Sequence, residues 1–259
     1  MALMTREGWL QTHTYLRPVA ELAAEVERAA AGIDVPRVPI PDWNAYRADF
    51  LAGVSLLSST HVAIDLEPAG QMTAQIVERL APRPMSEGLS RFASWVATAR
   101  FLQPVVAAFD SWRDEDRWLR PHCPTCASLP AMAQLVGADP GRKRLLVCGC
   151  CRTRWQFART GCPYCGTNAQ RLASLSVEGE ANLRIDHCES CRGYLKTYDG
   201  EGNEALLLAD WSSLHLDLIA HDRGLKKLAA SLYEFEPALP AVRESGLHLE
   251  TNGRIESRG

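Results

Sequence analysis

Nine cysteines lie between Cys123 and Cys191 of a 259-residue chain, and none lies outside that interval. Eight of them form four pairs with two residues between partners: Cys123 and Cys126, Cys148 and Cys151, Cys162 and Cys165, Cys188 and Cys191. A two-residue gap lets a tight turn aim both sulfurs at one point while backbone amides donate to them, and two such pairs complete the tetrahedral thiolate shell that suits zinc or iron. One pair is a weak signal; four at near-equal spacing are a specific one. The spacing predicts two metal ions per chain, iron or zinc. Cys123, Cys126, Cys148 and Cys151 would hold one, and Cys162, Cys165, Cys188 and Cys191 the other.

This sequential pairing is preferred to an interleaved one because the region is an internal repeat. Cys123-Pro-Thr-Cys126 is followed after 21 residues by Cys148-Gly-Cys-Cys151, and Cys162-Pro-Tyr-Cys165 after 22 residues by Cys188-Glu-Ser-Cys191. Each copy has a knuckle, a variable loop and a strand-like approach (Arg144 to Val147, then Leu183 to His187). Arginine follows each second pair (Arg152, Arg192), with an aromatic shortly after (Trp155, Tyr194). A unit of about 40 residues is too small for its own hydrophobic core and needs a staple, which a metal supplies. Cys150 breaks the two-residue gap and is read as a spectator thiol. His122 and His187 are placed beside the ligands rather than among them.

Cys162-Pro-Tyr-Cys165 also matches a glutaredoxin-type dithiol. Such dithiols sit at a helix N-terminus in a βαβ unit, and Gly166-Thr167-Asn168 gives no sign of one, so thiol-disulfide exchange is the weakest reading. No constellation of acid, base and nucleophile stands out, and the chain is not expected to be an enzyme.

The elements that must position these cysteines are helices before them and strands among them. Pro18 to Ala30, Asp42 to Ala52, Gln71 to Ala81 and Ser86 to Phe109 carry apolar residues at helical spacing, with Gly32 a stop and Pro104 expected to kink or divide the last. Residues 35–41, with three prolines, read as a surface strap. His13 and His61 look isolated, as polar surface or core residues. Ser111 to Arg120 reads as a hinge or short helix, Tyr194 to Tyr198 as a strand and Asp199 to Gly202 as a turn. Trp211, Leu214, Leu218, Leu225, Leu228 and Leu232 predict helical packing from Ala205 to Phe235, broken near Gly224. The expected organisation is a helical domain over 1–116, metal modules over 117–158 and 159–200, a C-terminal helical segment over 201–236 and a tail over 237–259.

The first fifteen residues lack the apolar core of a signal peptide, and no run of about eighteen apolar residues occurs, which predicts neither secretion nor membrane insertion. The thiols are then expected to face a reducing cytosol. Net charge is -3. From Arg117 to Arg171 nine basic residues face one acid; from Leu172 to Ala209 three face seven. The basic excess reads either as compensation for thiolate charge or as the mark of an anionic partner.

From Cys123 to about Phe235 the chain resembles the formate dehydrogenase accessory protein family, FdhE. The residues that carry the resemblance are Cys-Pro-Thr-Cys-Ala-Ser-Leu-Pro at 123–130, Cys148 to Cys151 with Arg-Thr-Arg-Trp at 152–155, Cys162 to Cys165, Ser174-Leu175, Cys188-Glu-Ser-Cys191 with Gly193-Tyr194-Leu195-Lys196, and Asp210-Trp-Ser-Ser-Leu-His-Leu-Asp217. Ala127 departs from the glycine usual in the family, and the N-terminal helices match loosely and are shorter than the family's. The resemblance implies an α+β chain: an N-terminal helical domain, two tandem rubredoxin-like (zinc-ribbon-like) modules that bind iron, and a C-terminal helix. It also implies a cytoplasmic assembly factor that contacts the catalytic subunit of the molybdenum or tungsten enzyme formate dehydrogenase. A homodimer is left open. The rival from another class is a nucleic-acid-binding zinc ribbon, favoured by the basic stretch and disfavoured by the acidic second repeat.

Overall fold

The structure, a computed structural model, describes residues 4–114, 117–138, 140–180 and 182–230. The predicted tail over 237–259 and the helical position at Leu232 lie outside the described residues.

Among the described residues five α-helices precede the cysteines: α1 (Arg6–Thr12), α2 (Arg17–Ala31), α3 (Trp43–Ala52), α4 (Glu67–Leu80) and α5 (Glu87–Trp112). Their starts follow local chemistry. Thr5, Asp42 and Ser86 each accept a hydrogen bond from a first-turn amide, and Pro18 and Pro68 occupy first turns, where a missing N–H is harmless. Pro68 explains why α4 begins earlier than expected. α2, α4 and α5 pack together, burying Ala23, Val26, Ile76, Ala97, Leu102 and Val105. Pro104 does not divide α5. It lies on the exposed face, where solvent can satisfy the Arg100 carbonyl that loses its amide partner. Among the described residues α5 alone has the length and apolarity to cross a membrane, and half of its most apolar stretch is buried against the rest of the chain. Residues 34–42 form the expected strap, with Val38 buried and Val35 and Ile40 exposed.

Of the segment expected as a hinge or short helix, Ser111 and Trp112 belong to the last turn of α5 and Arg117 to a 3-10 turn. Trp118 is buried, stacked on Phe50 at 5.5 Å and donating from Nε1 to the His122 carbonyl.

Six strands follow: β1 (Pro130–Val136), β2 (Lys143–Cys148), β3 (Arg154–Phe157), β4 (Leu172–Ser176), β5 (Leu183–Cys188) and β6 (Tyr194–Asp199). They form one mixed sheet in the order β3-β2-β1-β6-β5-β4. Within each repeat the three strands are antiparallel neighbours, and the repeats join through parallel pairing of β1 with β6, Met132 opposite Lys196. Read across the sheet, each repeat presents its third, second and first strand in turn, so the second copy extends the first by translation.

After the sheet come α6 (Glu204–Leu207), a 3-10 turn (Asp210–Ser213) and α7 (Leu214–Asp222). The break expected near Gly224 falls at the end of α7, and the described residues beyond it, to 230, are not helical. Gly224, at φ +67°, donates to the His221 carbonyl at 2.8 Å while Leu225 donates to Ala220 at 2.9 Å, a Schellman stop. Lys226 then pairs beside Gly193, and Leu218 and Leu228 are exposed rather than packed.

Candidate metal centres

The structure brings the eight paired cysteines together as two four-sulfur groups, one per repeat, with the sulfurs of each group within 4.8 Å of one another. Cys123 and Cys151 lie 3.5 Å apart and Cys126 and Cys148 3.4 Å; in the second group Cys162 and Cys191 are 3.8 Å apart and Cys165 and Cys188 3.7 Å. A tetrahedron with metal–sulfur bonds of about 2.3 Å has edges of about 3.8 Å, so both groups have the size of a tetrathiolate shell. Cys150 belongs to neither group.

One backbone device builds all four knuckles. The residue after each second cysteine is left-handed: Ala127 at φ +63°, Arg152 at +62°, Gly166 at +72° and Arg192 at +61°. This conformation turns the chain back on itself. The amides of Ala127, Gly166 and Arg192 reach the carbonyls of Cys123, Cys162 and Cys188 at 2.8 to 3.0 Å, while the amides of these cysteines reach the carbonyls of Ser128, Thr167 and Gly193. Further amides face sulfur: Thr125 to Cys123, Tyr164 to Cys162 and Gly193 to Cys191, each at 3.4 Å.

Four thiols in contact cannot all ionise unless a cation compensates them. In the first group the sulfurs of Cys123 and Cys148 pull Cys126 far down, while burial pushes Cys123 up and neighbouring sulfurs push Cys148 up. In the second, Thr167 pulls Cys165 down to about 6, and burial pushes Cys162 up to about 12. Each group thus holds one thiol pulled down beside others pushed up, Cys123 and Cys148 in the first and Cys162 and Cys191 in the second, the condition that a divalent ion relieves. Contact with Cys126, then burial, pushes Cys150 far up.

The two centres differ in cover. The loop after α3 clamps the first knuckle: the amides of Leu56 and Leu57 donate to Pro124 and Thr125 at 2.8 and 2.9 Å, and Ser55 Oγ donates to Cys123 at 2.8 Å. Among the described residues no such lid covers Cys165, which is exposed. In this second group Tyr164 braces the seam between repeats instead, the hydroxyl lying 3.0 Å from the Pro130 carbonyl and 3.3 Å from that of Tyr194. A turn rather than a helix follows Cys162, so the surroundings of a glutaredoxin-type dithiol are missing.

Neither His122 nor His187 joins a sulfur group. His61 meets Asp49 at the surface. His13 is not isolated: it converges with Glu180 and His215, far away in sequence. Spacing also missed a buried ionic knot behind the second centre. Lys196 on β6 lies between Asp210 and Asp217, Lys227 contacts both acids, and the Tyr194 hydroxyl donates to Asp217 at 2.7 Å. The basic excess of the first repeat is partly paired or buried. Arg142 pairs with Asp199 across the seam, and Arg144 is buried against the carbonyls of Ala158 and Gly161.

Fold and site together define a protein with a helical N-terminal region, a mixed sheet holding two four-cysteine groups able to take a metal, and C-terminal helices. No protein-family model matches the chain. It is similar to an FdhE homolog of Aquifex aeolicus, 31% identical over 49% of this chain and 47% of the relative. An FdhE homolog of Haemophilus influenzae is 24% identical over 74% of this chain and 67% of the relative. The chain thus matches from about half to two thirds of the length of these curated relatives. The crystal structure of the FdhE protein from Pseudomonas aeruginosa shares the fold, with a TM-score of 0.52 and 22% identity over 85% of this chain and 88% of that one. These relatives and the solved structure are all FdhE proteins, and the likeness to the solved structure is one of fold.

Proposed function

We propose that the protein is a non-catalytic, cytoplasmic assembly factor for formate dehydrogenase that holds the catalytic subunit of that molybdenum or tungsten enzyme during maturation. The observation that carries this reading is the pair of closed four-sulfur groups in a chain similar to FdhE homologs. A shell of four thiolates offers no open position to a substrate, which suits a binding protein and not a hydrolase. Cys123, Cys126, Cys148 and Cys151 hold one ion and Cys162, Cys165, Cys188 and Cys191 the other, in modules of rubredoxin-like plan, with iron or zinc at both. The bound ion supplies a cross-link worth on the order of 10 kcal/mol of apparent folding free energy and, as iron, one-electron chemistry. The residues of the chain do the rest: the left-handed knuckles aim the sulfurs, and the sheet fixes the two centres relative to each other. The pairing of Arg142 and the burial of Arg144 weigh against a polyanion-binding ribbon, since these charges are already engaged.

Deleting the gene should lower active formate dehydrogenase without abolishing synthesis of its catalytic polypeptide, and the native protein should co-purify with that subunit. Normal activity in the deletion strain, with no molybdoenzyme subunit recovered, would overturn the assembly reading.

A further inference from the structure

His13 caps the end of α1, Glu180 lies between β4 and β5, and His215 is in the first turn of α7. These segments bring Nε2 of His13 to 2.6 Å and Nε2 of His215 to 2.8 Å from one atom, Oε1 of Glu180. The side chains of His13, His215 and Glu180 are 9%, 11% and 6% exposed, so the cluster is nearly dry.

Its protonation is constrained by the surroundings. Nδ1 of His13 faces the Trp9 carbonyl at 3.0 Å and the Thr12 hydroxyl at 2.8 Å. The carbonyl can only accept, and Thr12 already donates its hydrogen to that same oxygen at 3.0 Å, so Nδ1 must carry a proton. A neutral His13 would then point the Nε2 lone pair at a carboxylate oxygen 2.6 Å away. Something positive has to lie between them, either a second proton or a metal ion. Among the described residues His215 is not locked into a hydrogen bond at either nitrogen: Nε2 approaches Glu180 out of hydrogen-bond alignment, and Nδ1 is buried with no partner there. Burial alone would raise the Glu180 carboxyl, but contacts with His215 and His13 outweigh it and hold the group below the usual range. The cluster is therefore a carboxylate faced by two imidazoles, one of them with its outer nitrogen anchored to a backbone carbonyl, as is usual for a histidine ligand. A cleft of about 550 Å³ lined by His13, Tyr15 and Glu180 opens onto it.

We propose that His13, Glu180 and His215 form a third metal site, for a divalent transition ion of the zinc class. Two imidazoles and one carboxylate suit zinc and its neighbours better than calcium or magnesium, which prefer oxygen alone. Bonds of about 2.0 to 2.2 Å set tetrahedral donors about 3.3 Å apart, so each imidazole moves back from Oε1 by roughly 0.5 to 0.8 Å and the Nε2 proton of His13 leaves to solvent. Three protein donors leave a fourth position facing the cleft, unlike the closed thiolate groups. The ion would also tie α1 and α7 to the second repeat.

The test is metal analysis of the full chain after zinc loading and exhaustive dialysis. Three ions per chain are expected in the wild type. Two are expected in His215→Ala and in Glu180→Gln, with affinity for the third reduced at least about tenfold. A wild type that saturates at two ions, or a third ion that persists in both variants, would overturn the proposal. As a check independent of the variants' folding, zinc should shift the imidazole resonances of His13 and His215 when added to wild-type protein already holding two ions. Unmoved resonances count against the site.

Discussion

Lys196 Nζ donates to Asp217 Oδ2 at 2.7 Å, and Asp217 also takes the Tyr194 hydroxyl and Lys227. The Lys196 side chain has no exposure at all, yet it is held with opposite charges: Asp210 Oδ1 lies 2.5 Å from the same nitrogen. The Tyr-Leu-Lys of β6 and the two acids, Asp210 in the 3-10 turn and Asp217 in α7, thus form a single device that locks the C-terminal helices onto the sheet. Removing one partner of a buried pair strands the other charge, so Asp217→Asn and Lys196→Met should each destabilise the protein by about 3 to 5 kcal/mol, read by denaturant unfolding of metal-loaded protein.

The pH dependence of that lock has a definite sign. Burial lowers the Lys196 pKa, but Asp210 and Asp217 outweigh it and leave it raised above 10.5. A group whose pKa is raised on folding stabilises the fold fully below its unfolded value and loses the contribution as pH climbs through the folded one. Wild type should therefore lose stability as pH rises above about 10.5, beyond the loss seen in Lys196→Met. Parallel curves for the two proteins would show that the ammonium is not the stabilising form.

The ligand set is tested by single replacements. Cys150→Ala should keep both tetrathiolate ions, whereas Cys148→Ala and Cys151→Ala should each lose one, read by metal analysis and thiol titration. Equal loss in all three would place Cys150 among the ligands.

The left-handed residues give a stability prediction. Ala127 occupies φ +63° with a Cβ that gains nothing there, and an L residue in that region is strained by about 1 kcal/mol. Ala127→Gly should raise stability by about 0.5 kcal/mol, after the greater freedom of glycine in the unfolded chain is offset, and Ala127→Val should lower it. Thermal unfolding of the metal-loaded protein measures both.

The two centres should differ in thiol reactivity. Cys165 is exposed and pulled down to about 6, so in metal-free protein at neutral pH it is largely thiolate and should be the first cysteine alkylated. Cys123, buried and pushed up, should be among the last. Time-resolved mass spectrometry of iodoacetamide labelling orders them, and metal loading should protect Cys165.

The cysteine groups were legible because a knuckle is local: four residues and a fixed gap determine it. What followed in the sheet was less so. β1 is buried along almost its whole length, so Pro130 to Val136 shows no alternation, and β3 has too few residues to establish a period. In the C-terminal segment the break near Gly224 was legible, but Leu225 and Leu228, which keep a helical rhythm past it, lie on non-helical backbone. Glu180 and His13 are invisible as a pair, since only tertiary packing joins a β4–β5 turn to the end of the first helix. The knot of Lys196 with Asp210 and Asp217 was present only as residues that resembled a family, without a physical reason until the side chains met.

The parallel seam between β1 and β6 also bears on how the chain folds as it is made. β1 can close its antiparallel ladder with β2 soon after synthesis, but its other edge waits for the last strand of the second repeat. Until Tyr194 to Asp199 have emerged, β1 is an edge strand with one side unpaired, the kind of edge that recruits wrong partners. Within the sheet the seam is the pairing of longest range and, on topological grounds, the slowest to form. A ribosome-bound chain truncated before β6 should therefore be prone to aggregate even with its first metal in place, and the last strand would act as the closing step for both repeats.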